Sequence, residues 1–297
     1  MFELLTETPK PPERVVILGA GGFVGATARA RLEADGIPVL PLARGDVDLS
    51  AATAAETLAA MFRPEDCLIV VSARAPCKTT DDMAANVTMM NSICRALEHS
   101  SVAHVTYISS DAVYSDSADP LSETSPTAPD NLHGMMHAVR ERMLKETLPR
   151  TPLAILRPSL LYGLNDPHNG YGPNRFRRLA AEGRDIVLFG EGEERRDHVL
   201  IDDLAELIRL TVLHRGTGVL TAATGRVISF REIARMVAGR FDAPVDIKGS
   251  PRIGPMPHNG YRAFDISLSR RVFPALHFTD PADGIANVHE LMMSNNR

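Results

Sequence analysis

Val15-Val-Ile-Leu18 runs straight into Gly19-Ala-Gly-Gly22-Phe23-Val24-Gly25, and from there into Ala26-Thr-Ala-Arg-Ala-Arg-Leu32. An apolar run, a glycine turn and a helical pattern in that order predict strand, tight turn and helix. Gly19 allows a sharp exit from the strand. Gly22 lets a pyrophosphate approach the backbone without meeting a Cβ, and Gly25 permits close packing of helix on strand. Phe23 and Val24 complete the turn, and the helix N-terminus directs its partial positive charge at a phosphate. The spacing is Gly-x-x-Gly-x-x-Gly, with Val24 breaking the Gly-x-Gly-x-x-Gly form. A dinucleotide site is the expectation, and an ordinary glycine-rich turn is the alternative.

The same alternation continues downstream. Strand-like runs at Val39–Leu42, Leu68–Ala73, His104–Ser109 and Leu153–Leu156 are separated by helical patterns at 51–61, 83–98 and 134–147. Near-continuous apolar strands between helices predict an α/β fold, a Rossmann-like, doubly wound parallel sheet with helices on both faces. After Arg157-Pro158 the texture changes to a long Gly- and Pro-rich loop over 163–175, then a polar segment over 195–203. A helix at Leu204–Leu213 and a strand at Gly218–Ala222 follow. Long loops in compact domains are usually functional.

Several function classes are disfavoured by composition. The net charge of −5 argues against a nucleic-acid partner. The three cysteines, Cys67, Cys77 and Cys94, lack ligand-like spacing and fit a reducing compartment. Residues 1–14 read as a loose lead-in without the features of a signal peptide, and no apolar run is long enough to span a bilayer. A soluble, cytoplasmic protein is expected, with no membrane partner.

Four stretches together resemble the extended short-chain dehydrogenase/reductase family, in its nucleotide-sugar branch of NAD-dependent epimerases and dehydratases. They are Gly19–Gly25, Asn86-Val87, Ser109-Ser-Asp-Ala-Val-Tyr114, and Phe189–Val199 with Asp202-Asp203 beyond. The resemblance runs from about residue 14 to 287. It implies a nucleotide lobe of 1–162 plus 199–226 and a smaller substrate lobe of 163–198 plus 227–297. It also implies a homodimer formed through the helices at 83–98 and 134–147.

On the cofactor side, Ala73 and Asn86 are implied contacts, and Asp48-Leu49 resembles the adenine-contacting pair. Ala43 falls where relatives that prefer NAD carry a ribose-binding acid, and Arg44 stands beside it. A guanidinium suits a 2′-phosphate, so NADP is favoured and NAD remains possible. On the substrate side, Arg196 matches the arginine that holds a diphosphate, with Arg195 able to take its place. Asn174, Phe176 and Arg177 occupy the pocket-lining stretch, and Arg262 matches a further phosphate contact. The partner implied is a nucleotide-activated sugar.

The family's catalytic Tyr-x-x-x-Lys is absent. Aligning on Glu141 puts His133 and His137 at its two positions. Three readings stand. In the first, His133 replaces the tyrosine in proton transfer, because an imidazole titrates near neutrality without a cationic neighbour. His137 then hydrogen-bonds the ribose, Ser110 polarises a substrate oxygen and Asp111 is an auxiliary proton carrier. In the second, catalysis is lost and the chain is an NAD(P)-binding sensor. In the third, the histidines are an i, i+4 metal pair, but no third ligand is near in sequence.

Overall fold

The computed structural model describes residues 2–295. Its first half contains β1 (Glu3–Leu4), β2 (Val15–Leu18), α1 (Phe23–Ala34), β3 (Val39–Leu42), α2 (Ala54–Met61) and β4 (Cys67–Val70). Then come α3 (Thr80–His99), β5 (His104–Ile108), α4 (Leu132–Thr147), β6 (Leu153–Pro158) and β7 (Leu160–Tyr162). The second half continues with α5 (Pro173–Ala181), β8 (Ile186–Phe189), β9 (Arg195–Leu200), α6 (Ile201–Leu213), β10 (Gly216–Ala222) and β11 (Val227–Ser229). It closes with α7 (Phe230–Ala238), β12 (Ile247–Ser250), β13 (Tyr261–Arg262), α8 (Ser267–Val272) and α9 (Pro281–Asn295).

A seven-stranded sheet in the order β1-β10-β6-β5-β4-β2-β3 carries the fold, and every pair in it is parallel except β1 with β10. Its apolar strands are buried on both faces, and successive residues alternate between two cores. Val15 and Ile17 face α1 and α6, while Val16 and Leu18 face α2, α3 and α4. The sheet order turns back at β2–β4, which places the ends of β2, β4 and β5 around one crevice. Local signals fix the helix starts there: Thr79 and Asp82 form a capping box on α3, and Asn131 caps α4 through Gly134 N–H.

A second sheet is built on β9, with β11 along one edge and β7 and β13 on successive halves of the other. β8 and β12 form a separate pair. The polar segment over 195–203 begins with β9, a strand buried over its last four residues. It tolerates Asp197 because that carboxylate accepts from Ser159 Oγ at 2.9 Å, Thr224 N–H at 3.0 Å and Thr224 Oγ1 at 2.7 Å.

Three further departures are local. The lead-in is not loose: β1 pairs with the edge of β10, and Phe2 is buried edge-on against Phe273, centroids 6.2 Å apart. β4 ends at Val70, which leaves Ala73 in the loop beyond it. The tail is divided, since Leu268, Val272, Phe273 and Phe278 pack into the core beneath α1 and α6.

Candidate active site

A cleft of about 1280 Å³ runs from Gly19 and Arg44 across Ser110 and His133 to Asp166, Arg196 and His258. At one end lies the turn between β2 and α1. Gly19 has φ +93°, and a Cβ there would lie 2.8 Å from the Ser72 backbone nitrogen. A Cβ on Gly25 would lie 2.2 Å from the Gly19 carbonyl oxygen, so helix and turn touch through bare backbone. Gly22 differs: a Cβ there would meet only Gly19 O, at 3.4 Å, and otherwise point into open space. No side chain caps α1 and its first turn holds no acid, so its free N–H groups are available to an anion. Phe23 and Val24 line the cleft beside them.

Arg44 lines the cleft with its side chain 87 % exposed, 3.4 Å from Asp48, and Leu49 lines it as well. Ala73 lines the cleft from the loop after β4. Asn86 does not line it. Asn86 is fully buried, and its amide accepts from Arg74 N–H at 2.9 Å and donates to the carbonyls of Arg74 and Asp82. Its contribution is to hold the loop that carries Ala73.

The middle of the cleft is made by the end of β5 and the first turns of α4. Ser110 Oγ accepts from Ala112 N–H at 3.1 Å and lies at the surface of the cleft. His133 and His137 both reach the cleft, their rings perpendicular with centroids 4.9 Å apart. The Cys77 backbone N–H donates to His133 Nδ1 at 3.4 Å, and Tyr107 Oη lies 2.8 Å from His137 Nδ1. Burial lowers the pKa of His133, partly offset by Asp111. Burial lowers that of His137 much further, helped by His133 and by the Arg140 guanidinium. Both rings are therefore neutral at pH 7. Behind them Glu141 is buried, accepting from Ser109 Oγ at 2.6 Å and from Arg157 Nε and Nη2 at 2.9 and 2.6 Å.

The substrate end corrects several expectations. Arg196 is the inward arginine of its pair and lines the cleft, salt-bridged to Glu194 at 3.2 Å. Arg195 turns outward over the Tyr261 ring. Asn174 lines the cleft while accepting from Gly163 N–H at 3.0 Å. Phe176 is fully buried in the core of the small lobe and lines nothing. Arg177 points away, donating to Leu164 O at 3.0 Å and lining a separate small pocket with Tyr162 and His289.

Arg262 is 2 % exposed and spends its guanidinium on Asp111, Asp116 and the Tyr114 carbonyl, leaving nothing for a phosphate. Asp111 is correspondingly committed as its partner, through Oδ2 and the main-chain carbonyl. Among the described residues no group of three metal-ligating side chains comes together, at the histidine pair or elsewhere. Tyr107, Cys77, Arg140, Asp166 and His258 belong to the site or its frame without any motif to mark them. The tyrosine gives no sign in the sequence because it alternates with core residues along β5.

The model of the NAD dependent epimerase/dehydratase family matches residues 15–220. The chain belongs to that family. Among curated relatives, the UDP-glucose 4-epimerase of Mycolicibacterium smegmatis is 27 % identical over 96 % of this chain and 100 % of its own. The dTDP-L-rhamnose 4-epimerase of Burkholderia thailandensis is 31 % identical over 48 % of this chain and 40 % of its own. In fold, the chain is similar to a GDP-L-fucose synthetase from Naegleria fowleri, with a TM-score of 0.87 at 16 % identity over 99 % of this chain and 98 % of that one. No helix among the described residues is long and apolar enough to cross a membrane.

Proposed function

We propose that this member of the epimerase/dehydratase family is an NAD(P)-dependent enzyme that oxidises, reduces or epimerises a nucleotide-activated sugar. The observation that carries the reading is a single continuous cleft. It has an uncapped helix N-terminus behind Gly22 at one end, Ser110 and His133 in the middle, and Arg196 at the other. The residues fit a dinucleotide: the backbone around Gly22 would hold its pyrophosphate, Asp48 and Leu49 its adenosine, and His137 its nicotinamide ribose. Bound there, the nicotinamide would supply hydride chemistry to a sugar carbon.

The remaining work falls to this chain's own side chains. Arg196 presents a planar fork of donors suited to a diphosphate. Ser110 and His133 both line the middle of the cleft, where the reacting sugar oxygen would lie. Ala43 and the exposed Arg44 favour NADP, since no carboxylate at that strand end would repel a 2′-phosphate. Three buried, unbridged cysteines are in keeping with a reducing compartment, and so with the cytoplasm. The packed pair α3 and α4, with Met135 and Val139 exposed on α4, supports a homodimer.

Titration with NADPH and NADH, followed by product analysis on UDP-glucose and on dTDP- and GDP-sugars, tests the reading. Cofactor binding with turnover of at least one sugar is the expected outcome. A second reading, a cofactor-binding sensor, is favoured by one observation: neither histidine provides the charge of the family's lysine. Tight cofactor binding with no sugar converted would establish that second reading.

A further inference from the structure

We propose that His133 and His137 act as a locked pair of N–H donors, their Nδ1 lone pairs taken by the Cys77 backbone N–H and the Tyr107 hydroxyl. This rests on the reading of the cleft as a cofactor and sugar-nucleotide site, and changes what the histidines do in it.

A neutral imidazole carries one N–H and one lone pair, and a hydrogen bond at one nitrogen decides the other. For His133 the decision is unambiguous. Its Nδ1 partner, 3.4 Å away, is a backbone N–H that can only donate, so the ring's own proton lies on Nε2. His137 faces a hydroxyl, which could act either way. Burial settles the direction. Tyr107 is 1 % exposed, and among the described residues its Oη has no hydrogen-bond partner but His137 Nδ1. Were Nδ1–H the donor, the phenol proton would be left buried without an acceptor, at a cost of about 1–3 kcal/mol. With Tyr107 donating, nothing is orphaned and His137 also carries its proton on Nε2.

The surroundings hold both rings neutral. Arg140 is fully buried with its guanidinium 5.4 Å from the Tyr107 ring centre. It donates to Ser72 O at 2.6 Å and to Asn86 Oδ1 at 3.4 Å, and has no carboxylate partner among the described residues. A positive charge so placed opposes a second one on His137. Asp111, the carboxylate whose charge acts on His133, is tied to Arg262 at 2.7 Å. Both Nε2 atoms are left without protein partners among the described residues, on rings that line the cleft.

The consequence is chemical. Two fixed, uncharged donors suit oxygen acceptors: a carbonyl or hydroxyl oxygen of the sugar at His133, and a ribose hydroxyl at His137. His133 polarises a substrate oxygen as an electrophile and does not accept a proton, since its one lone pair is already engaged. Tyr107 is then a positioning residue, acting only through His137.

Long-range proton–nitrogen correlation spectra of protein labelled with nitrogen-15 in histidine test this without ligand. At neutral pH both rings are expected as the Nε2–H form. Finding either ring as Nδ1–H or doubly protonated overturns the proposal. In Tyr107→Phe, His137 should lose its single tautomer while His133 keeps its own, and NADPH affinity should fall roughly fivefold to tenfold, the equivalent of one hydrogen bond. An unchanged His137 spectrum in that variant also overturns it. Absence of any NADPH or NADH binding to the wild-type protein would instead defeat the functional reading, while the wild-type spectra still decide the tautomers.

Discussion

Arg262, on β13, donates from Nε to Oδ2 of Asp111 at 2.7 Å and from Nη2 to the carbonyl oxygen of the same residue at 2.5 Å. Both partners are buried, and the pair ties the second sheet to the turn that presents Ser110. Asp111→Asn would leave Asp116 as the only carboxylate beside the guanidinium, and breaking the buried pair is expected to destabilise the protein by about 3 kcal/mol. Denaturant unfolding measures the loss. The double variant Asp111→Asn with Arg262→Met should lose less than the sum of the two single changes, because the cost lies in leaving one charge alone.

Stability should fall in acid through buried histidines. Burial depresses His104 to about 4 and His198 to about 3, against 6.5 for the unperturbed group. The unfolded chain therefore binds protons first. Stability is fully present above pH 6.5 and is lost as pH falls toward 4, each such histidine steepening the slope by about 1.4 kcal/mol per pH unit. His104→Gln should remove one proton from that slope in unfolding curves between pH 6.5 and 4. A slope unchanged in the variant would mean that His104 is protonated in the folded state.

At the glycine turn, Gly25→Ala would drive a Cβ to 2.2 Å from the Gly19 carbonyl, with only backbone to give way. A loss of about 2 kcal/mol in stability is expected, together with loss of NADPH binding if the turn is the phosphate cradle of the proposed cofactor site. Gly36→Ala is the control. It sits at φ +72° with open space around it, so it should cost about 1 kcal/mol and leave cofactor affinity intact.

The two arginines expected to bind substrate should separate. Arg196→Ala should weaken the sugar nucleotide roughly tenfold or more with NADPH affinity unchanged, the usual effect of losing a charge-assisted contact. Arg177→Ala should leave that affinity untouched and show only in thermal unfolding, because its guanidinium lies in a different pocket. Calorimetric titration of both variants checks the pair.

Cofactor choice can be read at the rim. Arg44→Ala should weaken NADPH about tenfold and NADH little, if the guanidinium meets a 2′-phosphate. Equal weakening of the two would put Arg44 over the adenine instead.

The large sheet is legible in the sequence because runs such as Val15–Leu18 and Cys67–Val70 are buried on both faces and so must be apolar throughout. The small sheet is not. Its central strand reads Arg-Arg-Asp-His-Val-Leu, and Asp197 is burial-competent only because Ser159 and Thr224, distant in sequence, satisfy it. The same limit governs the arginines. Arg196, Arg177 and Arg262 look alike in sequence, yet one lines the cleft, one faces a side pocket and one is consumed by Asp111. Pairing partners, set by tertiary folding, decide among them. Alignment on Glu141 is enough to point to His133 and His137, but the groups at their Nδ1 atoms come from β5 and the loop after β4, which no local pattern connects to α4.

The two-residue strand Glu3–Leu4 seals more than a gap in the core. By pairing antiparallel with Gly216 and Thr217 it occupies the start of the outer edge of β10, whose amides and carbonyls there would otherwise be open to another chain. Removing residues 2–4 would bare that edge and the Phe273 surface beneath it. The resulting protein should associate further through that sheet edge, seen as species larger than those of the intact chain at the same concentration.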